Sequence, residues 1–539
     1  MSITDKQTIE LMSALDPFTW LTDNSIALSH GPWRLKGHEY QLAWLQEEAP
    51  EQVFIKGAQI GVTDSMVLRT LHGMVYGKYP QGSLYLFPTR DDVKDFSKAR
   101  FDPLIAENAC ISRHVKNTDA TNIKQIGRGF LYLRGARITK NVGGAKKTSS
   151  QLKSIPVDRV VFDERDEMDD SMVELARERV SHSDVKELIS VGTPTIPDYG
   201  VDKLYQNSDQ RVWMIRCEHC GKYTCLEHEF PTCIIRNPEG GAYRACIHCR
   251  KEIFPFNGEW VAQVPSKTSS LVGWWISQLN SLYVDPAYIL DLYEDPPNGN
   301  LAEVMNSKLG RAYIPAENRL TSSEVYACCG SDAPLMRNEG PCCMGVDVGN
   351  PTLHVVVGHK KTKHNIKVIW MGRVSSFNDL HDIAQRYSVR SSVIDLKPEI
   401  RKVREFQAAE SYSVFACDYV ETRVGMTSWD DKERIIKCNR TEVCDASHDF
   451  IISPGKLELP RRNTELDLFV KECCNIAKVL EEDADTGARV YRYKKLGADH
   501  YRHALNYMLL ASERVGSISD NKLISMFFNR RQRRNFMTA

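Results

Sequence analysis

No run of about 18 apolar residues occurs in this 539-residue chain, which excludes a membrane-spanning helix. The opening residues, MSITDKQTIE, lack the apolar core of a secretory signal, so an intracellular protein is expected. Net charge is also missing. Lys plus Arg and Asp plus Glu each total 70, so bulk electrostatics argue neither for nor against nucleic acid, and any grip on DNA has to come from local patches. One such patch is Arg530, Arg531, Arg533 and Arg534, although a short basic tail is as readily just solvated. There is no internal repeat or low-complexity block, and the length then calls for two to four globular domains. Disulfide-framework spacing is absent as well. Several of the 16 cysteines are adjacent (Cys328 and Cys329, Cys342 and Cys343, Cys473 and Cys474), which fits a reducing compartment.

What is present starts with residues 56–63, KGAQIGVT. A common phosphate-binding loop, GxxxxGK[ST], would have Gly at 56 and Lys at 62, where this chain has Lys56 and Val62. Gly61 and Thr63 keep their places. Backbone N–H groups can still wrap a β-phosphate, the Thr63 hydroxyl can still sit on Mg2+, and Lys56 reaches the phosphates from the other side of the loop. An apolar run before it (52–55, QVFI) and helical spacing after it (Met66, Val67, Leu71, Met74, Val75) give strand, loop, helix. About a hundred residues on, residues 157–164 read VDRVVFDE, a strand ending in Asp163 and Glu164. Such a pair can hold Mg2+ through water and polarise an attacking water; it would also suit the first turn of a helix. The spacing suits a parallel sheet with further strands between the two motifs. Residues 188–195, LISVGTPT, form a third strand whose closing turn puts Thr193 within reach of a γ-phosphate.

Cys217-x-x-Cys220 and Cys246-x-x-Cys249 are two knuckles 25 residues apart. Four thiolates at such spacing make a tetrahedral, structural Zn2+ site, with His219, His228, His248, Cys225 and Cys233 nearby as substitutes. Beyond residue 335 the pattern restarts. Strands are expected at 344–348 (MGVDV, carrying Asp347), 353–358 and 365–370, which is how an RNase H-like nuclease begins. A helix over 377–387 and a strand at 392–395 ending in Asp395 follow. A late helix over 496–510 puts Asp499 and His503 on one face. Carboxylates gathered this way can hold two Mg2+ or Mn2+ ions about 4 Å apart, with His500 and His503 as rivals to Asp499.

In this order the loop with Lys56, Gln59, Gly61 and Thr63, the Asp163–Glu164 pair, the VGTPT turn, the CxxC pairs, residues 306–314 (NSKLGRAYI) and residues 499–507 (DHYRHALNY) resemble the large subunit of a tailed-phage terminase, lambda-like branch. The resemblance covers about residues 30–515. It implies an ATP-driven motor that moves double-stranded DNA through the portal protein of a procapsid, joined to an endonuclease that cuts concatemeric DNA. Its setting would be the host cell cytoplasm, as a homo-oligomeric ring on the portal, with a small terminase subunit as partner. Lys56 and the loop at Gly57 and Gln59 would grip phosphate, Asp163 would serve Mg2+, Glu164 would prime water and Thr193 would couple hydrolysis to movement. Where the family often has an acid before Ala, this chain has His503 before Ala504, so the resemblance leaves the third nuclease ligand open between Asp499, one turn earlier, and His503. An arginine completing the ATP site could be Arg100, Arg134 or Arg137.

The expected fold is α/β: an arm (1–29), a P-loop ATPase with a parallel sheet (30–205), a zinc ribbon (206–260), a lid or connector (261–333), an RNase H-like α/β nuclease (334–515) and a basic tail (516–539). The connector's two tryptophans, Trp274 and Trp275, are expected in the core. Two other readings remain: a helicase-like translocase that does not cut, and a zinc-stabilised DNA-binding scaffold with a vestigial loop.

Overall fold

The computed structural model describes residues 5–29, 31–136, 152, 155–297, 300–349, 351–362, 365–421, 425, 427–482 and 489–515. Arg137 and the basic tail lie outside them. Two compact units divide the chain, Met1–Tyr313 and Ile314–Ala539.

The first unit is built on an 11-stranded sheet. Its centre is a run of parallel strands in the order Arg211–Arg216, Val272–Ile276, Glu51–Lys56, Glu187–Gly192, Arg159–Asp163, Ser83–Phe87 and Gly129–Gly135. Antiparallel strands finish both edges. Central parallel strands are covered on both faces, so they read as unbroken apolar runs rather than alternating ones. Val160, Val161 and Phe162 are fully buried, as are Leu84, Tyr85 and Leu86. The expected 188–195 strand, at Glu187–Gly192, slots between the loop strand and the acid strand.

A buried ion cluster ties these strands to the helix Val62–Val75. The Glu187 carboxylate accepts from Arg69 Nη2 at 2.8 Å and from Tyr79 OH at 2.6 Å, and it pairs with Arg159. Arg159 Nε also donates to Thr70 Oγ1 at 3.1 Å. Burial by itself would raise the Glu187 carboxyl, but the two guanidinium groups outweigh it and hold it down at about 2.

The expected boundaries at 205, 260 and 333 do not coincide with breaks in packing. Strands Arg211–Arg216, Gly258–Ala262 and Val272–Ile276 all belong to the first sheet, and Val272–Ile276 pairs directly with the loop strand. The cysteine knuckles are therefore an excursion from that sheet, and the first unit runs on to Tyr313. Sequence reading missed this because strand pairing between residues 50 and 276 leaves no local mark. Trp274 is buried as expected, stacked on Phe54 with ring centroids 5.9 Å apart.

The second unit holds an eight-stranded sheet in the order Ser428–Asp430, Ile435–Cys438, Ser413–Tyr419, Val389–Asp395, Cys342–Val348, Leu353–Lys360, Ile366–Val374 and Leu457–Glu458. Leu353–Lys360 is antiparallel to both neighbours, while Cys342–Val348, Val389–Asp395 and Ser413–Tyr419 are mutually parallel. Side chains alternate along Cys342–Val348: Met344, Val346 and Val348 enter one core and Cys343 the other. Gly345 meets the helix His500–Ser512, where a Cβ would strike the backbone at Ala504 and Met508. Asp347 shares that face by the same two-residue period.

Candidate functional sites

The loop strand ends on Lys56, whose Nζ lies 2.6 Å from Glu164 Oε1. Gln59 and Gly61 are left-handed, at φ 56° and 85°, as the chain turns into the helix Val62–Val75. Gly61 is there because it adopts that conformation without strain and because a Cβ would run into Gln41 Nε2. Gln41 in turn donates to Ile60 O at 3.3 Å. Thr63, in the first helical turn, donates to Asp163 Oδ1 at 3.2 Å, and Tyr85 OH donates to Asp163 Oδ2 at 3.1 Å. Burial, and then the charge of Glu164, pushes the Asp163 carboxyl up to about 6, the condition a divalent cation relieves.

Glu164 is left-handed too, at φ 57°, a conformation costing a non-glycine residue about 1–3 kcal/mol. Its carboxylate thereby turns to Lys56 and accepts the Thr193 N–H at 3.2 Å. Thr193 thus reaches the site through its backbone. Asp166, buried two residues on, fixes the same turn by accepting Thr195 N at 3.0 Å, Thr195 Oγ1 at 2.9 Å and Val201 N at 2.7 Å.

Residues 306–314 carried no role when read as sequence. In the structure they clamp the loop. Ala58 N donates to Ser307 O at 2.7 Å and Gly57 N to Ile276 O at 2.8 Å, while Gln278 Nε2 donates to Ala58 O at 2.7 Å. Asn306 Nδ2 donates to Thr195 O at 3.0 Å and its Oδ1 accepts Tyr313 N at 3.1 Å, which joins the clamp to the Thr193 turn. Of the candidate arginines, Arg100 pairs with Asp64 at 2.8 Å on the loop helix. Arg134 donates to Leu133 O at 2.9 Å and to Asn122 O.

In the second unit Asp347 and Asp395 end neighbouring parallel strands in register (Val346 opposite Ile394). Asp418 joins them from the next strand, where Cys417 is opposite Asp395. The pattern SVFACD, an apolar strand ending in an acid, was a signal for Asp418 that sequence reading passed over. Lys397 Nζ pairs with Asp418 at 3.0 Å and Lys397 N donates to Asp395 Oδ1 at 3.2 Å. Burial, and then the charge of Asp347, pushes Asp395 up to about 7. Asp347 Oδ2 lies 2.8 Å from His500 Nδ1.

Asp499 has its own set of basic neighbours. It sits at the N-terminal boundary of the helix His500–Ser512, with Lys495 at 2.7 Å, His503 at 3.3 Å and Arg440 at 3.6 Å around its carboxylate. Burial opposes its charge, but His503 and Lys495 prevail and hold the carboxyl well below the usual carboxylate range. The next residue, His500, is the one grouped with Asp347 and His354, and His503 lies beside the Asp499 carboxylate.

Cys217, Cys220, Cys246 and Cys249 converge, with Sγ–Sγ distances of 3.6 Å for Cys217–Cys249 and for Cys220–Cys246. Cys225 and Cys233, the possible substitutes, are engaged with Glu227 and with Leu226 O. Among the described residues no helix is long and apolar enough to cross a membrane.

A phosphate-type loop on a central parallel strand, facing an Asp–Glu pair two strands away, defines a P-loop ATPase fold. Residues 38–263 match the family of the phage terminase large subunit gpA, ATPase domain. Among curated proteins none matches the chain. Among solved structures, the large terminase of bacteriophage HK97 is similar over 90% of this chain and 97% of its own, at 11% identity and a TM-score of 0.52, a likeness of fold. The large terminase of a thermophilic bacteriophage, in complex with ADP, aligns over 88% of this chain and 98% of its own, at 12% identity and a TM-score of 0.32.

Proposed function

We propose that the chain is the large subunit of a tailed-phage terminase of the lambda-like branch: a motor that hydrolyses ATP to drive double-stranded DNA into a procapsid, joined to a metal-dependent endonuclease. The observation that carries the motor reading is the convergence of Lys56, Thr63, Asp163, Glu164 and the Thr193 turn on one end of the parallel sheet. Lys56 neutralises phosphate, the amides of the loop around Gln59 and Gly61 wrap it, Thr63 and Asp163 are the pair suited to Mg2+, and Glu164 orients water. Replacing Lys56 with Ala removes the only lysine of the loop. Lys56→Ala is expected to lose ATP turnover while its circular dichroism stays native; turnover near the wild-type rate would overturn the reading.

The nuclease reading, with an RNase H-like domain, is supported by the sheet order and by Asp347, Asp395 and Asp418 at three neighbouring strand ends. Mg2+ or Mn2+ held there would supply Lewis-acid help to an attacking water and a leaving oxygen. Asp499, flanked by Lys495 and Arg440, serves this proposal as their counter-ion rather than as a metal ligand. Metal-dependent nicking of plasmid DNA by the purified chain separates this reading from a translocase that does not cut.

For the knuckles we infer a structural Zn2+. Tetrahedral Zn–S bonds of about 2.3 Å require sulfur–sulfur edges of about 3.8 Å, close to the 3.6 Å found. Metal analysis should give one zinc per chain; none found would discard the site. The portal protein, the small subunit and a homo-oligomeric ring in the host cytoplasm are the partners and setting this function calls for.

A further inference from the structure

Asp347 and His354 are opposite one another in register on adjacent antiparallel strands, and His500 opens the helix behind them. One ligand atom from each of the three lies within 4.8 Å of the others. His354 is unusual in a second, independent way. It is 7% exposed, and its Nδ1 is buried with no hydrogen-bond partner among the described residues. Its Nε2 lies 3.9 Å from Glu472 Oε1, close but beyond hydrogen-bond reach, and Glu472 is itself fixed by the Tyr501 N–H at 2.8 Å. A buried polar nitrogen left unpaired is costly, and native structures leave few. An imidazole with a carboxylate behind one nitrogen is, however, the usual posture of a metal-ligating histidine: the carboxylate fixes the ring and the other nitrogen takes the ion. A cation taken at Nδ1 would satisfy that nitrogen and leave Nε2 to Glu472.

We propose that Asp347, His354 and His500 hold one divalent cation through a mixed carboxylate–imidazole set, with Glu472 positioning His354, and that this set selects Mn2+ over Mg2+. It deepens the nuclease reading, resting on Asp347 as a cation ligand there. Mg2+ prefers oxygen donors and gives up water reluctantly, whereas imidazole suits first-row transition ions. The rings of His354 and His500 stack at 4.7 Å with planes 16° apart, so their lone pairs do not meet at one point as they stand. His500 is the ring that turns. Its side chain is 34% exposed, and it exchanges a 2.8 Å hydrogen bond with Asp347 for the ion, while His354 stays against Glu472.

The test is Mn2+ titration of the nucleotide-free, full-length chain, followed by electron paramagnetic resonance and calorimetry, with and without a large excess of Mg2+. Wild type is expected to hold Mn2+ against Mg2+. His354→Gln and His500→Gln should each weaken Mn2+ binding at least about tenfold, and Glu472→Gln by about 10-fold to 100-fold, the range for lost outer partners. Circular dichroism checks the fold of each, and the three variants guard against one failing to fold. If both histidine variants bind Mn2+ like wild type while Asp347→Asn does not, the imidazoles are not ligands and the inference falls, with the nuclease reading left standing. Equal competition by Mg2+ would overturn the selectivity. If Mn2+ binding behaves as expected but no condition cleaves DNA, the cation site stands and the nuclease reading falls.

Discussion

At Glu164 the left-handed backbone points one carboxylate at two partners, Lys56 Nζ and the Thr193 N–H. On the proposed motor reading, incoming phosphate would compete with that carboxylate for Lys56, and the displaced Glu164 would be free to orient water beside the Thr193 turn. Glu164→Gln removes the charge but keeps the shape. It is expected to bind ATP as tightly as wild type or more so, while hydrolysis slows by about 10²–10⁴-fold, the usual contribution of a positioned base. Filter binding set against phosphate release checks this, and a parallel loss of both would make Glu164 a structural residue. Asp499 teaches the opposite lesson at this scale. The sequence puts an acid near the start of the last helix, but Arg440, from the distant helix Arg440–Ile452, helps neutralise it, and nothing near Asp499 in the chain announces that partner.

Between elements, the cluster around Glu187 joins the Val62–Val75 helix to two central strands. Removing one partner leaves buried charges uncompensated, so Glu187→Gln is expected to cost about 3–5 kcal/mol in denaturant unfolding. The pH dependence has a definite sign. The folded carboxyl is held down at about 2, against about 4.3 when unfolded. Its stabilisation is therefore fully present above the unfolded value and is lost as pH falls through the interval down to about 2. Wild-type stability should decline across that window more steeply than that of Glu187→Gln; equal slopes would refute the assignment. Asn306 joins the loop clamp to the Thr193 turn through its amide, so Asn306→Ala and Asn306→Asp, neither able to donate to Thr195 O, are expected to lower kcat for ATP about tenfold with a smaller change in KM. An equal rise in KM alone would make Asn306 a binding residue. What could be read in advance divides along the same line. The loop, the Asp–Glu pair, the CxxC knuckles and the strand acids Asp347 and Asp395 sit within a few residues of their own signals, and the structure brings each set together. The clamp from 276–310, the pairing of His354 with Glu472 and the membership of strand Val272–Ile276 in the first sheet are all contacts made across long stretches of chain, and hydrophobic periodicity carries no trace of them.

On the scale of the molecule, the two proposed sites lie in different compact units, with the loop and its acids in Met1–Tyr313 and Asp347, Asp395 and Asp418 in Ile314–Ala539. Asp347→Ala is therefore expected to stop Mg2+- or Mn2+-dependent cleavage of plasmid DNA and to leave ATP hydrolysis at the wild-type rate. Cleavage that survives in Asp347→Ala would remove the second unit from the nuclease role, and lost ATP turnover would mean that the units do not work separately.

The clamp on the phosphate loop also sets a timetable for the newborn chain. Ala58 leaves the ribosome early, yet the Gln278 side chain that grips its carbonyl follows 220 residues later. At about 5–20 residues per second the loop waits roughly 10–45 s for that partner, and slightly longer for Ser307. A segment made near the beginning is thus among the last parts of its unit to be completed, and a nascent chain released before residue 307 carries the motif in full without the scaffold that shapes it.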